Sequence, residues 1–204
     1  MKLYYSPGAC SLSPHIALLE AGLPYDLVKV DVRAKKLENG DDYLKINPKG
    51  QVPALGLDNG ELLTEGPVIV QMIADKASGK NLAPAHGSVE RYRLQEWLNF
   101  ITTELHKNFS PLFQPALTDE TKGFFKDRLM GKFKYLDSQL AGHDYLMGKQ
   151  FTVADGYLFT MLSWADRMKF DFSAMPNLVA YKNRVAARPK VQEALSKEGL
   201  LKAA

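Results

Sequence analysis

KLYYSPGACSLSPHIALLEAG, residues 2–22, decides the fold class of the first half of this chain. Lys2 to Tyr5 is a short strand, and the turn formers Ser6-Pro7-Gly8 end it. Ser13 to Ala21 is a helix: Ser13 is placed to cap it, Pro14 suits its first turn, and Gly22 stops it. Tyr25 to Val30 is again strand-like, so the segment is a βα unit feeding a second strand that is expected to lie parallel to the first.

Further along, Val52 to Leu57 and Glu61 to Leu63 flank Asp58-Asn59-Gly60, and Asn-Gly between two apolar runs marks a hairpin. Gly66 to Ala77 closes this half as a helix. The order is βαβ, an irregular segment, then ββα, which predicts an α/β unit with a mixed four-stranded sheet. Residues 79–87 lack periodicity and are rich in turn formers, marking a boundary. Beyond it, helical periodicity runs near 88–110, 120–140, 153–168, 177–187 and 189–198, punctuated by Pro111, Pro115, Gly142, Pro176 and Pro189. The expected division is 1–80, α/β, and 87–204, all-α. Neither an internal repeat nor a low-complexity segment is seen.

The 204 residues, 46% hydrophobic and 24% charged, have ordinary globular usage, which argues against disorder, coiled coil and collagen. A net charge of +3, scattered along the chain, requires neither a nucleic-acid nor a membrane surface. No run approaches the ~18 consecutive apolar residues of a membrane span. One cysteine forms no internal disulfide, and MKLYYSPGAC has neither an apolar signal core nor a cleavage site, so a cytoplasmic protein is expected. His15, His86, His106 and His143 are scattered, and their spacing predicts no metal site.

Four places carry chemistry. Cys10 lies between a strand and a helix start, where unpaired N–H groups and the helix dipole favour a nucleophilic thiolate; a small buried hydrophobe is the plainer reading. Val52-Pro53 opens a strand after Asn47-Pro48-Lys49-Gly50-Gln51. A cis bond there would leave the backbone of Val52 open to an extended peptide, and an ordinary trans proline is the alternative. Thr64-Glu65-Gly66-Pro67 starts a helix, a ready anion site with a carboxylate beside it, unless it only caps. Finally Trp97, Ile101 and Leu105 form an apolar stripe, while Asn99, Thr103, His106 and Ser110 share a polar face that either lines a cleft or meets solvent. Thr152-Val153-Ala154-Asp155 is a capping box and belongs to folding.

Together Tyr5-Ser6-Pro7-Gly8-Ala9-Cys10-Ser11-Leu12, Asn47 to Pro53, Thr64-Glu65-Gly66, Leu105-His106-Lys107 and Thr152 to Asp155 resemble the cytosolic glutathione transferases, specifically the bacterial beta class, end to end. The resemblance implies a thioredoxin-like N-terminal domain, an all-helical C-terminal domain contributing a hydrophobic substrate site, and a homodimer. It implies glutathione as co-substrate, no metal, and a role in detoxification.

By the same resemblance Cys10 and His106 are catalytic, Cys10 facing the glutathione sulfur with His106 nearby. Val52, before a cis Pro53, pairs with the cysteinyl backbone; Lys35 meets the glycyl carboxylate; Glu65 and the Gly66 backbone hold the γ-glutamyl end. Asn99, Thr103, Glu104, Leu105 and His106 are the second-domain contribution. Gly66 stands where many relatives carry Ser. Tyr4, Phe109, Phe113, Trp164 and Met168 are candidates for the electrophile pocket, each equally readable as core. The activity implied is conjugation of the glutathione thiol with hydrophobic electrophiles, or its exchange with disulfides. A non-catalytic glutathione- and apolar-ligand-binding protein, or a dedicated glutathione-dependent isomerase or dehalogenase, would keep the same scaffold.

Overall fold

The computed structural model describes residues 1–201. They form two compact units, 1–83 together with 187–201, and Pro84–Ala186.

In the first unit β1 (Lys2–Tyr5) and β2 (Asp26–Asp31) are joined by α1 (Leu12–Ala21) and pair in parallel, Leu3 opposite Leu27, as the βα reading required. β4 (Ala54–Gly56) runs antiparallel to β1 and to β5 (Leu62–Thr64). Their hairpin closes through Leu57 N–H to the Glu61 carbonyl at 2.8 Å, with Gly60 at φ +88°, where only glycine sits without strain. The sheet has five strands, not four: β3 (Lys36–Leu37) adds an antiparallel edge to β2, giving the order β3-β2-β1-β4-β5. α2 (Gly66–Lys76) packs on α1, and Leu3, Leu12, Ile16, Leu55, Ile69 and Ile73 are enclosed between these elements.

Helix α1 begins one residue earlier than its serine-proline signal. Ser11 occupies the cap position, but its hydroxyl bonds the Ser6 backbone, accepting from N–H at 3.1 Å and donating to C=O at 3.2 Å. Ser13, the expected cap, lies inside the first turn with a buried hydroxyl that finds no partner among the described residues.

The second unit holds α3 (Val89–Phe100), a π-helical turn over Ile101–His106, the short α4 (Lys107–Phe109), α5 (Asp119–Gln139), α6 (Val153–Arg167) and α7 (Pro176–Ala186). α6 is enclosed on almost every face, the mark of a central helix. Its start is held by Asp155, fully buried: one carboxylate oxygen accepts from Thr152 N–H and hydroxyl at 2.8 and 2.9 Å. The other accepts from Leu146 N–H at 2.8 Å and the Tyr181 hydroxyl at 2.9 Å. Burial still pushes this carboxyl above the usual range, against those four hydrogen bonds.

α8 (Pro189–Lys197) departs from the division expected at 87–204, for it packs along α1 in the first unit. Its buried face carries Val191 and Ala194, and two polar ties fix it. Arg188 forks onto both carboxylate oxygens of Glu20 at 2.7 and 2.9 Å, and Glu198, just past the helix, meets His15 at 2.8 Å.

Candidate functional site

The turn after β1 presents Cys10. Ala9 N–H bonds the Ser6 carbonyl and Leu12 N–H the Ala9 carbonyl, both at 3.0 Å, so the loop winds directly into α1 and leaves Cys10 half-buried at its rim. The thiol donates to the carbonyl of Val52 at 3.1 Å. That contact joins two stretches 42 residues apart in sequence that each carried a candidate.

The Val52–Pro53 peptide bond is cis. The ladder to β1 begins only at Ala54, so Val52 lies beyond the sheet, its carbonyl held by the Cys10 thiol. The loop leading to it is braced from within: the Gln51 carbonyl accepts from the Tyr43 hydroxyl and the Asn47 amide, each at 2.8 Å. Lys35, at φ +58°, donates its ammonium to the Gly50 carbonyl at 2.7 Å.

Glu65 precedes α2 with φ +68° and ψ +109°, outside the left-handed helical region, a conformation that costs a non-glycine residue about 1–3 kcal/mol. Its carboxylate accepts from Lys49 at 2.7 Å, and the same ammonium donates to the Thr64 hydroxyl at 3.0 Å. Val68 and Ile69 N–H both bond the Glu65 carbonyl at 3.0 Å, and Pro67 has no N–H, so the Gly66 N–H is the donor left to an anion at this helix start. Cys10, Lys35, Val52, Pro53, Glu65 and Gly66 thus gather around one loop system of the first unit. Lys49, Tyr43 and Asn47 were not foreseen as members; Asn47 and Lys49 had a signal, since both lie in the Asn47–Gln51 turn, and Tyr43 had none.

The other five candidates lie in the second unit. Asn99 and Thr103 are exposed, the Thr103 hydroxyl bonding the Asn99 carbonyl at 3.1 Å. Glu104 pairs with Lys132 at 2.8 Å. Leu105 is fully enclosed, so its side chain packs the core and offers nothing to a ligand. His106 ends the π-helical turn, its Nδ1 2.6 Å from the Tyr157 hydroxyl and its ring edge-on to Trp164 at 5.0 Å. Burial, with the Lys107 charge adding to it, lowers its pKa to about 4, so the imidazole is neutral at neutral pH.

Of the apolar candidates, Phe109 is enclosed and Trp164 nearly so, which makes them core. Tyr4 tilts on Tyr43 at 5.7 Å. Met168 is half-buried at the end of α6. Phe113, by contrast, is 50% exposed while stacked edge-on to Trp164 at 5.0 Å. No group of three or more His, Cys, Asp or Glu side chains that could hold a metal occurs among the described residues. Nor is any helix among them long and apolar enough to cross a membrane.

Known proteins agree in one direction. The family model for the glutathione S-transferase N-terminal domain matches residues 8–76, and that for the C-terminal domain residues 103–198. Glutathione S-transferase GstA of Escherichia coli O157:H7 is 50% identical over 98% of this chain and all of its own. Among solved structures, the ternary complex of BphK, a bacterial GST, superposes with a TM-score of 0.96 at 56% identity, covering 98% of this chain and 100% of that one. A sphingomonad glutathione S-transferase complexed with glutathione gives 0.95 at 50% identity, with the same coverage. A beta-class enzyme of Sphingomonas chungbukensis also gives 0.95 at 50% identity over 98% of this chain and 100% of that one. This chain belongs to the glutathione S-transferase family, in its bacterial beta class.

Proposed function

We propose that this protein transfers glutathione, with Cys10 beside the glutathione sulfur, to hydrophobic electrophiles or disulfides. One observation carries the reading: the Cys10 sulfur sits 3.1 Å from the carbonyl of Val52, at the backbone stretch left outside the sheet before the cis Pro53. A γ-Glu-Cys-Gly peptide paired with Val52 brings its own cysteine to that sulfur. Lys35 then answers the glycyl carboxylate. The Gly66 N–H takes the α-carboxylate at the other end, and the Glu65 carboxylate takes the ammonium.

The residues fit such a ligand in charge and in spacing of roles, and the sphingomonad relative at 50% identity is a complex with glutathione. In conjugation the glutathione thiol gives up its proton, sulfur bonds to the electrophilic carbon, and the leaving group departs with its electron pair. In exchange the thiolate attacks one sulfur of a disulfide and expels the other as thiolate. Binding and orientation supply much of the rate, and donors preorganised around the sulfur stabilise its anionic form. The same reading takes the protein as a cytoplasmic homodimer acting in detoxification. Light scattering checks the dimer.

The test is mixed-disulfide formation and haloaromatic conjugation with glutathione, in the parent and in Cys10→Ala, with calorimetric binding alongside. The expected result is that Cys10→Ala loses exchange while still binding glutathione. A parent that binds but turns over no haloaromatic, haloacid or disulfide substrate would overturn the reading in favour of a passive binder.

A further inference from the structure

We propose that Lys49, moored by Thr64, is a positioning residue that aims the Glu65 carboxylate and so makes this end of the site selective for a ligand carrying a free α-ammonium group. The inference rests on the glutathione reading above and deepens it, and every residue in it belongs to the first unit.

Lys49 is held at both ends. At its root Asn47 is buried, its side-chain amide donating to the Gln51 carbonyl at 2.8 Å and its side-chain oxygen accepting the Lys49 N–H at 3.2 Å. The Gly50 N–H bonds the Asn47 carbonyl at 2.8 Å, which closes the turn that carries Lys49. At its tip the ammonium donates to the Thr64 hydroxyl at 3.0 Å and to one Glu65 carboxylate oxygen at 2.7 Å. Thr64 is itself fixed by the sheet, where it pairs with Ala54 directly after Pro53.

The consequence falls on Glu65. A surface glutamate samples many rotamers, and ordering it when a ligand arrives costs affinity. Here Lys49 holds one carboxylate oxygen, while the other has no partner among the described residues. The side chains of Lys49 and Glu65 are 53% and 65% exposed, so the pair adds little to the fold. What it supplies is preorganisation: an ammonium on the ligand meets a carboxylate already in place. Lys49, Glu65, the ligand ammonium, the ligand α-carboxylate and the Gly66 N–H then alternate in charge, and a ligand without the ammonium leaves that series broken at Glu65.

The test combines calorimetric binding with initial rates in the parent and in Lys49→Met, which keeps the reach of the side chain and removes its charge. Glutathione is expected to bind Lys49→Met about two- to tenfold more weakly, with KM rising by the same factor and kcat unchanged. The second probe is glutaryl-cysteinylglycine, which is glutathione without its α-amino group, and the parent and Lys49→Met should bind it alike. Thr64→Val, which leaves both charges in place, should weaken glutathione binding by a smaller factor, and parental affinity there overturns the mooring. Parental affinity for glutathione in Lys49→Met overturns the proposal. So does equal weakening toward both peptides, or a fall in kcat at unchanged KM. A parent that binds glutathione but turns over no substrate overturns the transferase reading alone, and the two-peptide comparison still decides the role of Lys49. A parent that binds neither peptide overturns the glutathione reading and this proposal together.

Discussion

Glu198 reaches back 190 positions to Gly8: one carboxylate oxygen accepts the Gly8 N–H at 2.8 Å, while the other meets His15 Nδ1 at 2.8 Å, all of it buried. A single side chain beyond α8 therefore holds both the loop that carries Cys10 and the helix that follows it. His15 Nε2 has no partner among the described residues, so the ring depends on this carboxylate. Glu198→Ala strands two buried polar groups and is expected to cost about 3 kcal/mol. At this chain length that is roughly 6–12 °C in Tm, measured by thermal or urea unfolding. Glu198→Gln, which keeps an acceptor, should lose less than half as much.

Acid should weaken the fold through His106. Its folded pKa of about 4 lies below the unfolded value near 6.5, so the unfolded state binds the proton more tightly. Stability from this ring is present above pH 6.5 and is lost as pH falls toward 4, by at most ~1.4 kcal/mol per pH unit. Urea midpoints between pH 4 and 7 should slope less in His106→Gln than in the parent. Equal slopes would mean that the ring titrates normally.

Gly66 leaves room for a side chain: a Cβ built there meets only Pro53 Cγ, at 3.7 Å, an ordinary contact. Gly66→Ser should therefore fold unchanged and add a hydroxyl beside the free N–H of this helix start. The expectation is glutathione binding tighter by about three- to tenfold, one neutral hydrogen bond, by calorimetry.

Glu65 keeps a strained backbone that its structural bonds do not justify, since its exposed pair with Lys49 contributes little. Glu65→Gly should raise stability by about 1 kcal/mol while weakening glutathione binding at least tenfold. Loss of stability in this variant would show that the strain serves the fold and not the ligand.

Elements punctuated by proline and glycine were legible in the sequence. Pro176, Pro189, Gly22 and Asp58-Asn59-Gly60 mark boundaries that the structure places within a residue or two. β3 was not legible, because Lys36–Leu37 has no apolar alternation and exists only as an edge on β2. The π-helical turn was hidden for another reason: side-chain periodicity does not report an i→i+5 backbone register. The placement of α8 depends on Glu198, Gly8 and His15, partners too distant in sequence for any local pattern to reveal. At the site, Cys10, Val52 and Glu65 each sat at a break in the pattern, where unpaired backbone is expected. The contact of the Cys10 thiol with the Val52 carbonyl is a product of sheet topology.

The return of α8 to the first unit also sets an order on biosynthesis. A ribosome releases the strands and α1 first, yet the helix that covers α1 and the carboxylate that steadies the Cys10 loop emerge only after all of Pro84–Ala186 has been made. The unit begun earliest is the one finished last, and the helical unit can close first, reversing the usual direction in which nascent domains mature. Until α8 docks, the nascent chain exposes the apolar flank of α1 to whatever chaperones attend it.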